Sequence, residues 1–468
     1  MVPDLSSPRR VHVVGAGGAA MGAIGEILLA MGHTVTGSDA VDSGALRRLA
    51  THGATTWVGH DPAGVMGADL VAVSTAVPAD DPEVVAASAA GVPVVRRAKV
   101  MTALCRLKRT VAVAGAHGKT TTTAMLATLL HHVALSGGSP DARQRWLPSY
   151  LVGGLVVGLD AAAAWETGDW FVVEADESDG TFLELGAEAV IVTNVEPDHL
   201  DHWGSFDRLT DAYRRFVATA PGPRVLCADE PGAMAVAHDV GGCVTYGFSA
   251  GAGARLDEAV PHDGGTRFRL AHRGESLDLW TPAPGVHNVR DAAASAVMAL
   301  ELGVDGEEVA AGVAGFGGVA RRFERRGQAG GVTFVDSYDH LPSEVASVLA
   351  AARSGGWSRV VCVFQPHRPT RIRDLWPDFA DAFVDADVVA VTDVYVPVGQ
   401  SPIEGVSGRL VVDAVLGAHP EAPVAWLPSR EELRAWCLAE LRPGDLCLTL
   451  NAGDLTTLPD ELLGALGP

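Results

Sequence analysis

The sequence predicts an α/β fold of mainly parallel sheets, laid out in three successive segments. Two observations carry that expectation. Short apolar strands alternate with Ala- and Leu-rich helical stretches nearly throughout, the order that parallel sheets require. The alternation also starts afresh, at Val11-His12-Val13-Val14, at Thr110, and near Val332-Thr333-Phe334-Val335. With 468 residues, 48% of them apolar and 20% charged, the chain has material for two to four buried cores.

The first segment runs to about Leu107. Arg9-Arg10 followed by Val11 to Gly25 imitates a signal peptide, but its glycines and His12 suit a strand, turn and helix better. Gly15-Ala16-Gly17-Gly18 supplies the turn, and Asp39 ends the second strand, 24 positions after Gly15. A glycine turn offers N–H groups to a diphosphate, and an acidic residue at that distance can meet a ribose. The pair therefore reads as a site for a diphosphate-bearing ligand, either NAD or a UDP-sugar.

The second segment opens with Val111-Ala112-Val113-Ala114, then Gly115-Ala116-His117-Gly118-Lys119-Thr120-Thr121-Thr122, then a helical stretch from Ala124. This suits a nucleoside triphosphate: the glycines let N–H groups reach the phosphates, Lys119 meets the outer ones, and Thr120 can hold Mg²⁺. The usual loop would put a glycine at 113, where Val113 stands. Residues 136–150 read as a surface loop, and 249–275 as strands and turns of a peripheral part.

Two apolar runs in this segment end in charge. Trp170 to Val173 leads into Glu174-Ala175-Asp176-Glu177-Ser178-Asp179, and Val190 to Asn194 leads into Glu196-Pro197-Asp198-His199-Leu200-Asp201-His202. Carboxylates near a core are costly unless a cation meets them, so both ends point to Mg²⁺ beside the phosphate loop. A histidine ligand is unusual for an ion that prefers oxygen. Asn288, ahead of a helix from Val289 to Leu300, can read an adenine edge, and an arginine of Arg321-Arg322-Phe323-Glu324 can bridge to phosphate.

In the third segment Asp336-Ser337-Tyr338-Asp339-His340-Leu341-Pro342 follows one strand and Gln365-Pro366-His367-Arg368-Pro369-Thr370-Arg371 the next. Ligands of open α/β sheets bind at such strand ends, and Arg368 and Arg371 can fork onto a carboxylate.

The formal charge, 35 − 57 = −22, argues against binding nucleic acid or an anionic membrane. Six scattered cysteines without a C-x-x-C pair read as buried apolar residues of a reducing compartment. No run is long and apolar enough to span a bilayer, so a cytoplasmic protein is expected.

Taken in order, these motifs resemble the Mur ligase family, ATP-dependent amide-bond ligases of peptidoglycan precursor synthesis. The resemblance covers nearly the whole chain. It rests on GxGGxxM (Gly15 to Met21), GxHGKTTTT (Gly115 to Thr123), EADESDGTFL (Glu174 to Leu183), TNVEPDHLDHWGSF (Thr193 to Phe206), GVARRFE (ending at Glu324), FQPHR (Phe364 to Arg368), PIEGVSG (Pro402 to Gly408) and AGD (Ala452 to Asp454). It implies the shortened phosphate loop and three domains: a Rossmann-like UDP-sugar-binding domain at 1–108, a P-loop ATPase catalytic domain at 109–322, and a Rossmann-like amino-acid-binding domain at 323–468. Other members carry a carbamylated lysine beyond the DH motif. Arg208 to Phe216 contains no lysine, as in the alanine-adding branch.

The resemblance implies ADP-forming ligation of L-alanine to the carboxylate of UDP-N-acetylmuramate through an acyl phosphate, with ATP and Mg²⁺, in a monomer or weak homodimer. It implies that Lys119, Glu174, His199, His340, Arg368 and Arg371 are catalytic, and that Thr120, Glu174 and His199 hold the metal. Gly115, His117, Gly118, Lys119, Thr120, Thr121, Asn288, Arg322 and Asp336 are assigned to ATP, and Gly15, Gly17, Gly18, Asp39, Ser74, His202 and Tyr338 to the other substrates.

The chain departs from the family pattern at Ser337, Asp339 and Leu341 within D-D-Y-x-H-H-P, at Pro369 for tyrosine, Asp291 for asparagine, Ala116 for threonine and Ala20 for glycine. An insertion falls near 136–147. Other readings stay open at this level: a Mur-type ligase for another amino acid or a preformed peptide, a catalytically silent ATP-binding homologue, or a nicotinamide-dependent oxidoreductase. The last would use Gly15 and Asp39 and leave the GKT loop without a role.

Overall fold

The computed structural model describes residues 2–137, 139–397 and 400–467. Three mainly parallel sheets follow one another along the chain, as the alternation of strands and helices predicts. The first contains β1 (Arg10–Val14), β2 (Thr34–Asp39), β3 (Thr55–Val58), β4 (Leu70–Val73) and β5 (Val94–Arg96), in the order β3-β2-β1-β4-β5. The strand order reverses beside β1. A crevice opens at such a switch point, which is where the Gly15 turn leaves β1.

The second sheet has ten strands: β6 (Arg109–Ala114), β7 (Ser149–Val156), β8 (Ala161–Ala164), β9 (Trp170–Glu174), β10 (Ala189–Val192), β11 (Arg224–Cys227), β12 (Val244–Gly247), β13 (Ala254–His262), β14 (Gly265–His272) and β15 (Glu275–Thr281). Their order is β15-β14-β13-β12-β11-β10-β6-β9-β7-β8. β6 is central, and its partners set the site by register: Val113 pairs with Glu174 on β9, and Ala114 with Val192 on β10. Val111 to Ala114 and Phe171 to Val173 are wholly buried, which suits short apolar runs covered on both faces.

The third sheet, β16 (Glu324–Ala329), β17 (Val332–Ser337), β18 (Arg359–Gln365), β19 (Val388–Val391), β20 (Val424–Trp426) and β21 (Asp445–Asn451), has the order β16-β17-β21-β18-β19-β20. β16 is its antiparallel strand.

The chain divides into two compact units. One holds 1–257, 269–279 and 290–317, and the other 258–268, 280–289 and 318–468. The structure corrects two local expectations. Residues 136–150 hold the helix Pro140–Trp146 instead of a loop throughout. Proline stands in its first turn, and the Ser139 hydroxyl accepts from the Ala142 N–H at 3.0 Å. Of the expected insertion, residue 138 lies outside the described residues. The helix expected from Val289 begins at Val286, so Asn288 belongs to its first turn. Among the described residues no helix is long and apolar enough to cross a membrane.

Candidate active site

The loop after β6 is shaped by what its glycines exclude. Gly115 has φ +145°, and a Cβ there would lie 2.0 Å from Thr193 Oγ1. Gly118 caps the helix Lys119–Ser136 at φ +78°, with a Cβ position 2.7 Å from Asp291 Oδ1. Only glycine adopts such conformations without strain. Thr193 and Asn194, one step beyond β10, clamp the loop from the side. The Asn194 amide takes the His117 N–H at 3.0 Å and donates to the His117 carbonyl at 2.9 Å, while the Thr193 hydroxyl donates to that carbonyl at 2.6 Å. His117 also reaches Glu196, 3.0 Å from its Nε2.

Lys119 opens the helix with its ammonium on the Gly115 and Ala116 carbonyls and 3.1 Å from Glu177. Burial works against its charge, but the carboxylates of Glu177, Glu174 and Asp176 outweigh burial and raise its pKa above the ordinary lysine value. Asp176 is likewise opposed by burial, yet the Lys119 and Arg97 cations hold it at about 2. Burial lifts the Glu177 carboxyl above the usual range, against the pull of Lys119. Thr121 is buried on the next turn position.

The residues expected to hold a metal fall into two adjoining sets. The Thr120 hydroxyl donates to Glu174 Oε2 at 2.9 Å, and the same oxygen accepts the Gly153 N–H at 2.9 Å. Gly153 sits where β7 bulges, and a Cβ there would be 2.5 Å from that oxygen. His199, at φ +52°, brings Nε2 to 3.2 Å from Asp198 Oδ2. Ligand atoms of Glu177, Asp198 and His199 all lie within 4.8 Å of one another. A hydroxyl, carboxylates and one imidazole at the head of a phosphate loop fit a hard divalent cation that also takes phosphate oxygens. Glu177 and Asp198 extend the expected set. His202, on the short helix Leu200–Trp203, packs its ring edge against Trp203.

In the N-terminal sheet Gly15 has φ +81°, and its N–H and that of Ala16 both donate to the Ser38 carbonyl at 2.9 Å. A Cβ on Gly15 would come within 2.8 Å of Ser74 Cβ. Asp39 accepts the Gly17 N–H at 2.8 Å and the Val41 N–H at 3.0 Å, so it braces the glycine turn. Gly18 caps the helix Ala19–Ala30, which leaves the N–H groups of its first turn for a ligand.

The second unit gathers its own group. His340 Nδ1 stands 2.9 Å from the Tyr338 carbonyl, and the His340 N–H donates to Glu344 at 2.8 Å. Tyr338, His340, His367 and Tyr395 form a run of ring contacts, the last pair stacked at 5.5 Å. Arg371 is buried and lies 3.3 Å from His367 Nδ1. Arg368, at φ +69°, caps the helix Pro369–Leu375. The Arg322 guanidinium sits 5.2 Å over the Tyr338 ring.

Asp336 is wholly buried, accepting from Asn451 at 2.9 Å, Thr449 at 3.0 Å, Thr456 at 2.7 Å and Arg321 at 3.3 Å. The Asn288 amide donates to the Pro284 carbonyl at 2.7 Å. Burial and the Glu344 carboxylate lift Asp339 to about 6, against Arg322 and the Ser337 hydroxyl.

Family models match the chain in order: the Mur ligase family catalytic domain at 10–109, the Mur ligase middle domain at 113–299, and the Mur ligase glutamate ligase domain at 321–453. Proteins named UDP-N-acetylmuramate–L-alanine ligase from Bradyrhizobium sp. (strain BTAi1) and Methylobacterium radiotolerans are each 44% identical to it, covering 97% and 98% of both chains. The crystal structure of UDP-N-acetylmuramate–alanine ligase MurC from Thermotoga maritima matches with a TM-score of 0.81 at 27% identity, over 98% of this chain and 99% of that one. A murein peptide ligase from Psychrobacter arcticus shares the fold, with a TM-score of 0.71 at 21% identity, over 98% of this chain and 99% of that one.

Proposed function

Because the chain belongs to the Mur ligase family, we propose that it joins L-alanine to UDP-N-acetylmuramate with ATP, as an ADP-forming ligase in the cytoplasm. The observation that carries the choice of substrates is the 44% identity, over nearly the full length, to proteins named for that reaction. The same observation favours alanine over a preformed peptide, since the peptide ligase is only 21% identical.

A carboxylate is a poor electrophile toward an amine, so the reaction needs a leaving group. One carboxylate oxygen takes the γ-phosphoryl group and ADP departs; the amine then attacks the carbonyl carbon and phosphate leaves with that oxygen. Phosphoryl transfer depends on positioning and charge neutralisation. Lys119 supplies a fixed cation, and the uncapped N-terminus of the helix Lys119–Ser136 would offer its N–H groups to the phosphates. Thr120 and Glu174, with Glu177, Asp198 and His199, would hold Mg²⁺, which neutralises charge on the phosphates. In the second unit Arg371 and Arg368 would grip the amino acid's carboxylate, with Tyr338 and His340 shaping its pocket. Gly15, Gly17, Gly18 and Ser74 would frame the UDP diphosphate, Asp39 would meet the ribose while bracing the turn, and His202 would meet the sugar substrate.

Labelling the muramyl carboxylate with ¹⁸O tests the chemistry. One label per turnover should appear in released phosphate; unlabelled phosphate would exclude the acyl phosphate.

A further inference from the structure

Two consecutive arginines, Arg96 and Arg97, stand at the head of the helix Arg97–Cys105, outside every motif assigned above to the ligase reaction. They serve different partners. Arg96 donates to the Ser74 and Val77 carbonyls at 3.3 and 3.2 Å, in the turn after β4 that lies against Gly15. Arg97 reaches the loop after β9, where its Nη2 lies 2.7 Å from Asp179 Oδ2 and 3.4 Å from Asp176 Oδ2.

The loop is shaped for this contact. Asp176 uses Oδ1 to accept the Ser178 N–H at 2.9 Å, and Asp179 uses Oδ1 to accept the Thr181 N–H at 3.0 Å. Each aspartate therefore shapes its own turn with one oxygen and offers the other to Arg97. The helix is anchored nearby, since the Thr102 hydroxyl donates to the Glu184 carbonyl at 3.0 Å and Lys99 pairs with the Glu184 carboxylate at 2.8 Å. The Arg97 side chain is only 15% exposed. Burial opposes its charge, but Asp176 and Asp179 outweigh burial and raise its pKa. Desolvation offsets much of the attraction in such a pair, so stability alone is a weak reason for it.

The surrounding charges supply a stronger reason. Glu174, Asp176, Glu177 and Asp179 crowd one short stretch of chain, and Lys119 faces the first three of them. Asp176 faces both cations, and Lys119 and Arg97 together hold its carboxyl at about 2, against burial. Because Arg97 takes one of its oxygens, the demand of Asp176 does not fall on Lys119 alone. Without Arg97 the ammonium would balance Asp176 as well as Glu177, and the outer phosphates would compete with both carboxylates for it.

We infer that Arg97 is a positioning residue for phosphoryl transfer: by holding Asp176 and Asp179 it keeps the Lys119 ammonium available to the triphosphate. The effect on turnover rests on the ligase reading, whereas the effect on nucleotide binding does not. Arg96 grips the Ser74 turn from the same helix head, so the segment that frames the sugar nucleotide also carries the cation that balances the phosphate site.

The test compares the full chain with Arg97→Met, Asp176→Asn and the double variant, each checked for folding by circular dichroism. Affinities for adenylyl imidodiphosphate with Mg²⁺ and for UDP-N-acetylmuramate are read by calorimetry, and kcat from phosphate release. Arg97→Met should lose nucleotide affinity by about tenfold or more, the scale of a lost bond to a charged group, and kcat by roughly 10- to 100-fold. Its affinity for UDP-N-acetylmuramate should hold, which separates the effect from general damage. Adding Asp176→Asn to Arg97→Met restores the charge balance and should recover most of both losses, so the two changes are strongly non-additive. If Arg97→Met does not fold, the cycle is run with Arg97→Lys, which keeps a charge but cannot fork between two aspartates. A smaller loss, recovered in the same way, is then expected. A wild type that binds the nucleotide but forms no alanyl product refutes the ligase reading and leaves the affinity cycle to decide on Arg97. Unchanged nucleotide affinity in the arginine variant, a loss that Asp176→Asn does not recover, or an equal loss of UDP-N-acetylmuramate affinity would overturn the inference.

Discussion

Lys119 is the residue on which the chemistry most depends. Its ammonium is held by loop carbonyls and Glu177, and three carboxylates keep it charged. Lys119→Ala should lower kcat by at least ~10³-fold, the scale of losing a fixed charge aimed at a transferring phosphoryl group, measured as phosphate release. A near-normal kcat would remove the loop from the mechanism. The altered amino-acid loop makes a different prediction. A single methyl discriminates by only ~1–3 kcal/mol, so kcat/KM for L-alanine should exceed those for glycine and L-serine by roughly 10- to 200-fold. A preference for either rival would show that Ser337, Asp339, Leu341 and Pro369 have re-tuned the pocket. Asp339 also carries a pH signature. Its folded pKa of about 6 lies above the ordinary 3.8, so its contribution to stability is complete below about 4 and is lost as pH rises through 6. Asp339→Asn, which cannot ionise, should therefore raise the melting temperature at pH 8, by an effect on the order of 1 kcal/mol, and raise it clearly less at pH 4.5. A difference that does not vary with pH would contradict the shifted carboxyl.

At the scale of elements, the phosphate loop is held by the strand beside it. Asn194 makes its hydrogen bonds to His117 because β10 pairs with β6, which places residues 193–194 next to 115–117. Asn194→Ala should raise KM for ATP on the order of tenfold, since unpairing buried backbone groups costs about 1–3 kcal/mol. An unchanged KM would show that Thr193 alone suffices. Here the reach of sequence reasoning is visible. Lys119, Thr120 and Glu174 were legible because each follows an apolar strand in a local pattern. Thr193 and Asn194 stood in a quoted motif, yet their task comes from strand pairing across 77 positions, which no local pattern encodes. His367 with Tyr395 and the partners of Asp336 were hidden for the same reason. The 140–146 helix reads as a loop because its glycine-rich approach and charged face imitate one, although Ser139 and Pro140 are sound start signals. In the sequence Pro369 stands out only as a departure from the family pattern. In the structure it heads the helix Pro369–Leu375, where its fixed φ and missing N–H suit a first turn.

Over the whole molecule, three sheets each end their strands in residues suited to a different ligand: a glycine turn braced by Asp39, a lysine-bearing phosphate loop beside carboxylates, and an arginine–histidine–tyrosine group. The restarting alternation of strands and helices made the three sheets legible, because each repeats the same local signal. The division into two compact units was not, since it cuts through β13, β14 and β15, of which β13 and β14 read only as peripheral strands and turns. On the proposed function these three sites would serve one coupled reaction. The direct measurement is phosphate release by the purified protein with Mg·ATP, UDP-N-acetylmuramate and L-alanine, supplied together and with each omitted in turn, alongside mass analysis of the sugar nucleotide. Sustained phosphate release is expected only with all three, matched one for one by UDP-N-acetylmuramoyl-L-alanine. Sustained release without the amino acid, or release with no alanyl product, would contradict it.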